Sequence, residues 1–490
     1  MGDIEKTATA TKAEKGYMRA FTRQCQTATN IADIGDYRSR EEAEGFRKSF
    51  ISDSVMAVIL DVVMGSGKSM GAIEYSLLQD RPMIILVELN TEVDRYLGAL
   101  EKLAGFTSPK KVADESGERL RDVLQEQVNQ KENIITTHAL FESWTQDTLD
   151  WIKLHNYTLV VDEVYSGVYD NYDIKPQDLQ SFMDDGYIEC GDDGVLKPTD
   201  RPILSKYVDL TNKLATKKCY LFEGGIIVEL NPELFKAFNS IVVLTYMFEG
   251  SLLSTFFDRN SITYIKKSLD SKGIPTDYTE PDGSSYKHLI KFAGSEKQLA
   301  PYRHRGNLSK SWLRRSKSVM VKKSDGAKGK SLFTTLKATA ATIARDWTDS
   351  GVSKDCIAWT TNSDYALRLS DSRYDNLPTT KKKLKRLDIE SKDLNYLSQT
   401  MRGTNDYKHK THLLYMTNMF PNPQIEKFLR VNSDEDAPVI NQDAFALTAC
   451  VQWIWRSAIR EGEEVEVFIP SKRVRYLLQE WLGYKPEEYF

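Results

Sequence analysis

The chain has 490 residues, which at about 150 residues per domain predicts two to four domains with a sizeable core. Hydrophobic residues make up 41 % and charged residues 28 %, with 27 Gly and 15 Pro, so collagen-like, low-complexity and disordered classes are excluded. The formal charge of −4 is a near-cancellation of blocks: positions 162–200 carry eleven Asp and Glu against two Lys, and positions 303–337 carry eleven Lys and Arg against Asp325 alone.

Residues 1–50 are polar, with a weak helical period at 14–24 and 39–50, and are expected to form an N-terminal helical extension. The start has neither a basic-then-apolar nor an Arg-rich amphipathic pattern, and no apolar run approaches the roughly 18 residues of a membrane span. A cytoplasmic location (host cytoplasm for a viral source) and no membrane partner are therefore expected. The five cysteines, at 25, 190, 219, 356 and 450, are odd in number and contain no C-x-x-C pair, which points to a reducing compartment. The histidines are dispersed, and none has Cys or acidic partners at the spacing of a tetrahedral site.

From residue 55 the pattern changes to β-branched apolar runs at 55–63, 83–88, 133–137, 158–161 and 240–245, separated by helical stretches. That alternation predicts a parallel sheet covered on both faces, in a first domain over 51–258. The acidic, Asp- and Gly-rich stretch 165–206 breaks the rhythm and reads as an insertion or surface excursion from the first domain. Residues 259–330, rich in Gly, Pro, Ser and Lys, read as a basic middle segment or linker. Alternation resumes over 331–490, with a helix at 332–347, strands at 356–361, 411–416 and 464–469, and a closing helix at 471–482. The fold class is α/β, with two parallel-sheet domains, an N-terminal helical extension and a variable middle segment; open sheets of this kind bind ligands at a cleft.

Two stretches carry chemistry. VVMGSGKSMGAIEYSLL, residues 62–78, runs from an apolar strand through Gly65, Ser66, Gly67, Lys68 and Ser69 into a helical pattern. Glycines let backbone N–H groups close around phosphates, Lys68 would reach the β- and γ-phosphates, Ser69 would ligate Mg²⁺, and the helix N-terminus adds a favourable dipole. Val62 stands where G-x-x-x-x-G-K-[ST] has its first Gly. YTLVVDE, residues 157–163, is an apolar strand ending in two acids. Asp162 would hold Mg²⁺ through water and Glu163 would orient or deprotonate an attacking water, while a solvated acidic turn is the other reading of the same pair.

These residues resemble the motifs of superfamily-2 helicases and translocases, whose A-x-x-G-x-G-K-[ST] loop has a small residue where Val62 stands. IITTHALF, residues 134–141, is similar to the T-H-A-L segment of DNA translocases in that superfamily, which implies that Thr137 and His138 contact the tracking strand; a helix cap explains the pair equally. Asp162-Glu163-Val164-Tyr165 stands at D-E-x-[DH], with Tyr165 departing from it. LTYMF, residues 244–248, is similar to the coupling motif, with Thr245 as its hydroxyl residue. MRGTND, residues 401–406, looks like the Gly-containing motif near the cleft, so that Arg402, Thr404 and Asn405 would touch nucleic acid; a plain turn is the alternative.

QWIWRSAIR, residues 452–460, resembles Q-x-x-G-R-x-x-R, which gives Gln452, Arg456 and Arg460 a catalytic place beside the γ-phosphate, where a cation stabilises developing charge. Trp455 replaces the family's Gly, and on one helix Arg456 and Arg460 would share a face. The resemblance runs in motif order from Val62 to Arg460. It implies two RecA-like domains with ATP and Mg²⁺ between them, moving nucleic acid stepwise, DNA favoured and RNA possible. The run 303–337 with Trp312 and Phe333, and KKKLKR at 381–386, supplies the charges and rings expected of a single-strand path. The expectation is an ATP-dependent DNA helicase or translocase. A packaging ATPase or oligomeric AAA+ protein with its arginine acting in trans, or an ATP-gated nucleic-acid-binding module, would use the same motifs.

Overall fold

The computed structural model describes residues 40–64, 66–201, 208–270, 273–280, 282–322, 328–375, 395–399, 406–431 and 440–489. The chain divides into two compact units, Met1–Pro281 with Pro421–Ile440, and Asp282–Phe420 with Asn441–Phe490.

The first unit is built on strands whose sequences leave them no solvent face. β1 (Ala57–Asp61), β2 (Met83–Val87) and β5 (Thr158–Asp162) are buried at every residue, as expected when helices cover both faces of a parallel sheet. β3 (Phe106–Thr107) and β4 (Asn133–Thr137) extend one edge. β11 (Ser240–Thr245), β12 (Tyr264–Leu269) and β13 (Pro275–Asp277) complete eight strands in the order β13-β12-β1-β11-β5-β2-β4-β3. All neighbours are parallel except β12 and β13. The period of two divides the strands between two cores. Ile59, Leu86, Val161 and Val243 face one, while Leu60, Ile85, Val160 and Val242 face the other, together with Phe46 and Phe50 from the helix Arg40–Ser49 and its end.

Between β5 and β11 lies a second, antiparallel sheet. Its strands are β6 (Tyr169–Tyr172), β7 (Ile188–Cys190), β8 (Val195–Pro198), β9 (Lys218–Phe222) and β10 (Gly225–Glu229), in the order β6-β10-β9-β8-β7. Leu179, Phe182, Leu196, Leu210, Cys219 and Ile226 form its own core. The acidic excursion is thus a folded insert that runs on to Glu229; most of its acids sit on solvent faces, whereas Glu229 is buried and accepts from the Tyr169 and Tyr220 hydroxyls. The helix Pro423–Val431, far along the chain, also packs in this unit: Phe428 meets Tyr220 at 4.9 Å and Phe222 at 5.5 Å, and Lys427 pairs with Glu223.

The second unit holds a four-stranded parallel sheet of β14 (Ile290–Phe292), β17 (Ile357–Thr360), β18 (His412–Tyr415) and β19 (Val465–Phe468), in the order β14-β19-β18-β17. A hairpin, β15 (Met320–Lys322) with β16 (Lys328–Ser331), precedes the helix Leu332–Asp349, which buries Leu336, Ala340, Ala344 and Trp347 against the sheet. The fold is therefore α/β with two parallel-sheet units and a helix before the first. The stretch read as a middle linker is shared out between them, β12 pairing with β1 and β14 with β19. Among the described residues no helix is long and apolar enough to cross a membrane.

Candidate functional site

The loop after β1 and the ends of β5 and β11 meet at the carboxyl-terminal ends of three adjacent central strands of the first sheet. Asp61 closes β1, and its buried carboxylate accepts the backbone N–H groups of Met247 at 2.5 Å and Phe248 at 3.0 Å. Burial pushes its pKa up, against those two N–H groups and the nearby charges of Lys68 and Lys266. Val62 N–H donates to the Thr245 carbonyl at 3.1 Å, so the loop starts anchored to β11. Gly67 has φ of 90°, the left-handed region that suits glycine, and leads into the helix Lys68–Leu77, which has no side-chain cap. Gly65 lies outside the described residues. Ser66 Oγ is buried without a hydrogen-bond partner among the described residues. The Lys68 ammonium donates to the carbonyls of Val62 at 2.5 Å and Val63 at 3.1 Å.

Ser69 and Asp162, 93 residues apart in sequence, touch: the Ser69 hydroxyl donates to the two Asp162 oxygens at 3.2 and 3.0 Å. The same carboxylate accepts from Tyr96 at 2.8 Å and from Arg95 at 3.1 Å, and Arg95 also pairs with Glu92 at 2.6 Å. Burial and then Asp162 hold the Tyr96 phenol well above its ordinary pKa, so it stays a donor. Glu163 follows in a left-handed turn, φ 67°, with its N–H on the Leu244 carbonyl at 3.0 Å. Thr245 lies on β11, between β1 and β5 and opposite Asp61; its Oγ1 is buried without a partner among the described residues. Arg95 and Tyr96 were not legible in the sequence, because they sit in an ordinary amphipathic helix; Asp61, the one charge in an apolar run, was visible.

Thr137 ends β4 and stands at the N-cap position of the short helix His138–Phe141 without a side-chain cap bond. His138 is buried, its ring edge-on to Tyr165 at 5.4 Å. Among the described residues no group of three or more His, Cys, Asp or Glu is placed to hold a metal.

In the second unit, Gln452 lies in the last turn of the helix Gln442–Ile454. The expected shared helical face for Arg456 and Arg460 is not found. The helix stops at Trp455, the Ser457 hydroxyl donates to the Ile454 carbonyl at 2.6 Å, and Arg460 sits in the separate 3₁₀ turn Ala458–Glu461. Arg456 is buried, with Nε on the Gln452 carbonyl at 3.3 Å. Trp455 packs against Tyr286 at 4.9 Å and Trp481 at 5.4 Å. Arg402, Thr404 and Asn405, like KKKLKR at 381–386, lie outside the described residues. The rings expected to line a single-strand path are core residues instead: Trp312 and Phe333 are buried beside Leu313 and Leu336, on helix faces turned to the sheet. Part of the basic run is paired internally, Arg303 with Glu296, Arg305 with Asp443 and Lys310 with Asp364.

The family described as "YonV C-terminal Rossmann-like domain" matches residues 284–482. The chain is 27 % identical over 445 residues to the SPbeta prophage-derived uncharacterized protein YonV of Bacillus subtilis (strain 168), covering 86 % of this chain and 98 % of the relative. It also aligns with a solved structure described as "Structure of S. tokodaii Xpd4", at 13 % identity and a TM-score of 0.46, over 91 % of this chain and 98 % of the other.

Proposed function

We propose that this chain is a nucleotide-dependent nucleic-acid motor that hydrolyses MgATP at the loop end of β1 and couples turnover to movement along DNA. One observation carries the reading: Ser69, at the start of a helix after a phosphate-loop sequence, is hydrogen-bonded to Asp162, at the end of a strand that continues into Glu163. Phosphoryl transfer needs this set, with backbone N–H groups and a lysine for phosphates, a hydroxyl and a carboxylate for a divalent cation, and a second carboxylate for water.

The residues fit their ligands. The buried Ser66 hydroxyl, without a partner among the described residues, and the uncapped helix N-terminus offer donors to phosphate oxygens. Lys68 would exchange two neutral carbonyls for a charged phosphate, a stronger acceptor. Ser69 and Asp162 are hard oxygen ligands suited to Mg²⁺, and phosphates and water would complete its coordination. Mg²⁺, when bound, supplies charge neutralisation of the phosphates. Glu163 would take the proton of the attacking water. Arg456 or Arg460, in the second unit, would stabilise the transferred phosphoryl, and Thr245 would relay the state of the site along β11.

The test is steady-state ATP hydrolysis by the full chain alone and with single-stranded DNA, duplex DNA or single-stranded RNA, with Glu163→Gln as the blank. Stimulation by one nucleic acid supports the motor and names its track. Turnover indifferent to all three leaves an ATPase and removes the motor.

A further inference from the structure

Tyr165 stands where the Asp-Glu motif departs from the D-E-x-[DH] pattern it resembles, and its surroundings give that departure a role. The link from β5 to the antiparallel insert is only residues 163–168, and Glu163 opens it in a left-handed turn that a residue with a side chain rarely adopts. Something must hold that turn. Tyr165 is 3 % exposed, with its ring edge-on to His138 at 5.4 Å and to Phe141 at 5.9 Å. Its hydroxyl donates to Oε1 of Glu142, and the other oxygen of that carboxylate takes the ammonium of Lys217. Each carboxylate oxygen thus has its own donor, which fixes the rotation of the group. Lys217, its side chain 9 % exposed, follows the insert's helix Val208–Thr216 and immediately precedes β9.

Two further details show how closely the neck of the insert is fitted. A Cβ on Gly167 would lie 2.3 Å from the Tyr165 hydroxyl and 2.9 Å from Glu142 Oε1, so a side chain there would push this pair out of its present place. The insert enters and leaves at one place, where Leu230 N–H donates to the Val168 carbonyl at 2.9 Å. Burial, and after it Glu142, raises the Tyr165 pKa far beyond the neutral range, so the hydroxyl remains a donor at working pH.

We infer that Tyr165 is a positioning residue for Glu163, and that the Tyr165–Glu142–Lys217 chain makes ATP turnover depend on the placement of the inserted antiparallel sheet. The inference rests on the reading of Glu163 given above. A displacement of β9 moves Lys217, releases Glu142 to rotate and loosens the link that begins at Glu163. Misplacing a catalytic group by a fraction of an ångström lowers kcat while leaving the phosphate contacts that set nucleotide affinity in place.

The experiment measures kcat, KM for ATP and thermal midpoint for the full chain, Tyr165→Phe, Lys217→Met, Lys217→Arg and the Tyr165→Phe/Lys217→Met double variant. Tyr165→Phe keeps the ring and is expected to lower kcat about tenfold at unchanged KM. Lys217→Met is expected to act in the same direction, to add nothing in the double variant, and to be rescued by Lys217→Arg. If Tyr165→Phe does not fold, the Lys217→Met and Lys217→Arg pair decides alone. Wild-type kcat in Tyr165→Phe and Lys217→Met, or losses that merely add and follow the thermal midpoint, overturns the inference and leaves the ATPase reading standing. An unsubstituted chain that hydrolyses no ATP overturns both.

Discussion

Both units hold cations on backbone carbonyls, and the two settings differ in one respect. In the first, Lys68 sits half-buried on Val62 and Val63 at the mouth of a loop. In the second, Arg475 donates to the carbonyls of Ile469 at 2.8 Å and Pro470 at 3.4 Å, and Arg473 donates to the carbonyls of Met419 at 3.2 Å and of Gln442, and to the Asp443 and Asn418 side chains, each at 2.7 Å. Lys410 likewise donates to the Asp355 carbonyl at 2.6 Å and to Asn395 at 2.9 Å. These three are deep, and burial pulls the Arg475 pKa down to about 10. On the proposed reading Lys68 would exchange its carbonyls for a phosphate, whereas the same kind of bond is architecture when it is buried, because water cannot replace it.

That contrast can be broken by substitution. Lys68→Ala is expected to lower ATP turnover by about 100-fold or more while the thermal midpoint and nucleic-acid binding stay near wild type. Normal turnover in a variant that has lost binding would refute the assignment. Arg473→Ala is expected to do the reverse, costing about 3 kcal/mol in denaturant unfolding, because the Asn418 side chain and the Met419 carbonyl lose a buried donor. An unfolding midpoint equal to wild type would make Arg473 an exchangeable cation like Lys68.

Tyr96→Phe gives a smaller effect. It removes one of the donors to Asp162, costing about 1 kcal/mol of stability, and is expected to lower the Mg²⁺ concentration for half-maximal turnover, since that oxygen no longer shares its charge with a phenol. An unchanged or raised Mg²⁺ requirement would place the cation elsewhere. The smallest effect concerns pH. Burial, opposed by Glu466, lowers the His412 pKa in the folded chain, so the unfolded chain binds more protons there. Stability is then expected to fall as pH drops below about 6.5, by at most about 1.4 kcal/mol per pH unit, and His412→Asn should flatten that limb.

Much of the first sheet was legible because its strands are unbroken apolar runs punctuated by GSGKS and Asp-Glu. β12 was not, since Lys266 and Lys267 disguise a strand whose residues are all only partly buried. The insert was legible as an acidic break in the strand-helix rhythm, but its antiparallel strands were not, because its short strands surround a core of few residues and most of its acids face solvent. Ser69 and Asp162 were nominated from sequence and are in contact, whereas Arg95 and Tyr96 reach Asp162 only through the tertiary packing of a helix that looks ordinary by itself. For Arg456 and Arg460 one helix is broken before the second arginine: Ser457 is the N-cap position and Gly462 the C-cap of a separate 3₁₀ turn that holds Arg460. The core place of Phe333 was inferable, since Leu336 and Ala340 follow it at helical spacing.

The helix Pro423–Val431 has a consequence for the order of synthesis. When a ribosome has made residue 281, almost the whole first unit exists, yet the helix that covers Tyr220 and Phe222 is still uncoded into protein. An apolar face therefore waits uncovered through the translation of most of the second unit, a period in which a nascent chain is exposed to aggregation or to chaperone capture. Truncation at residue 281 would make that interval permanent.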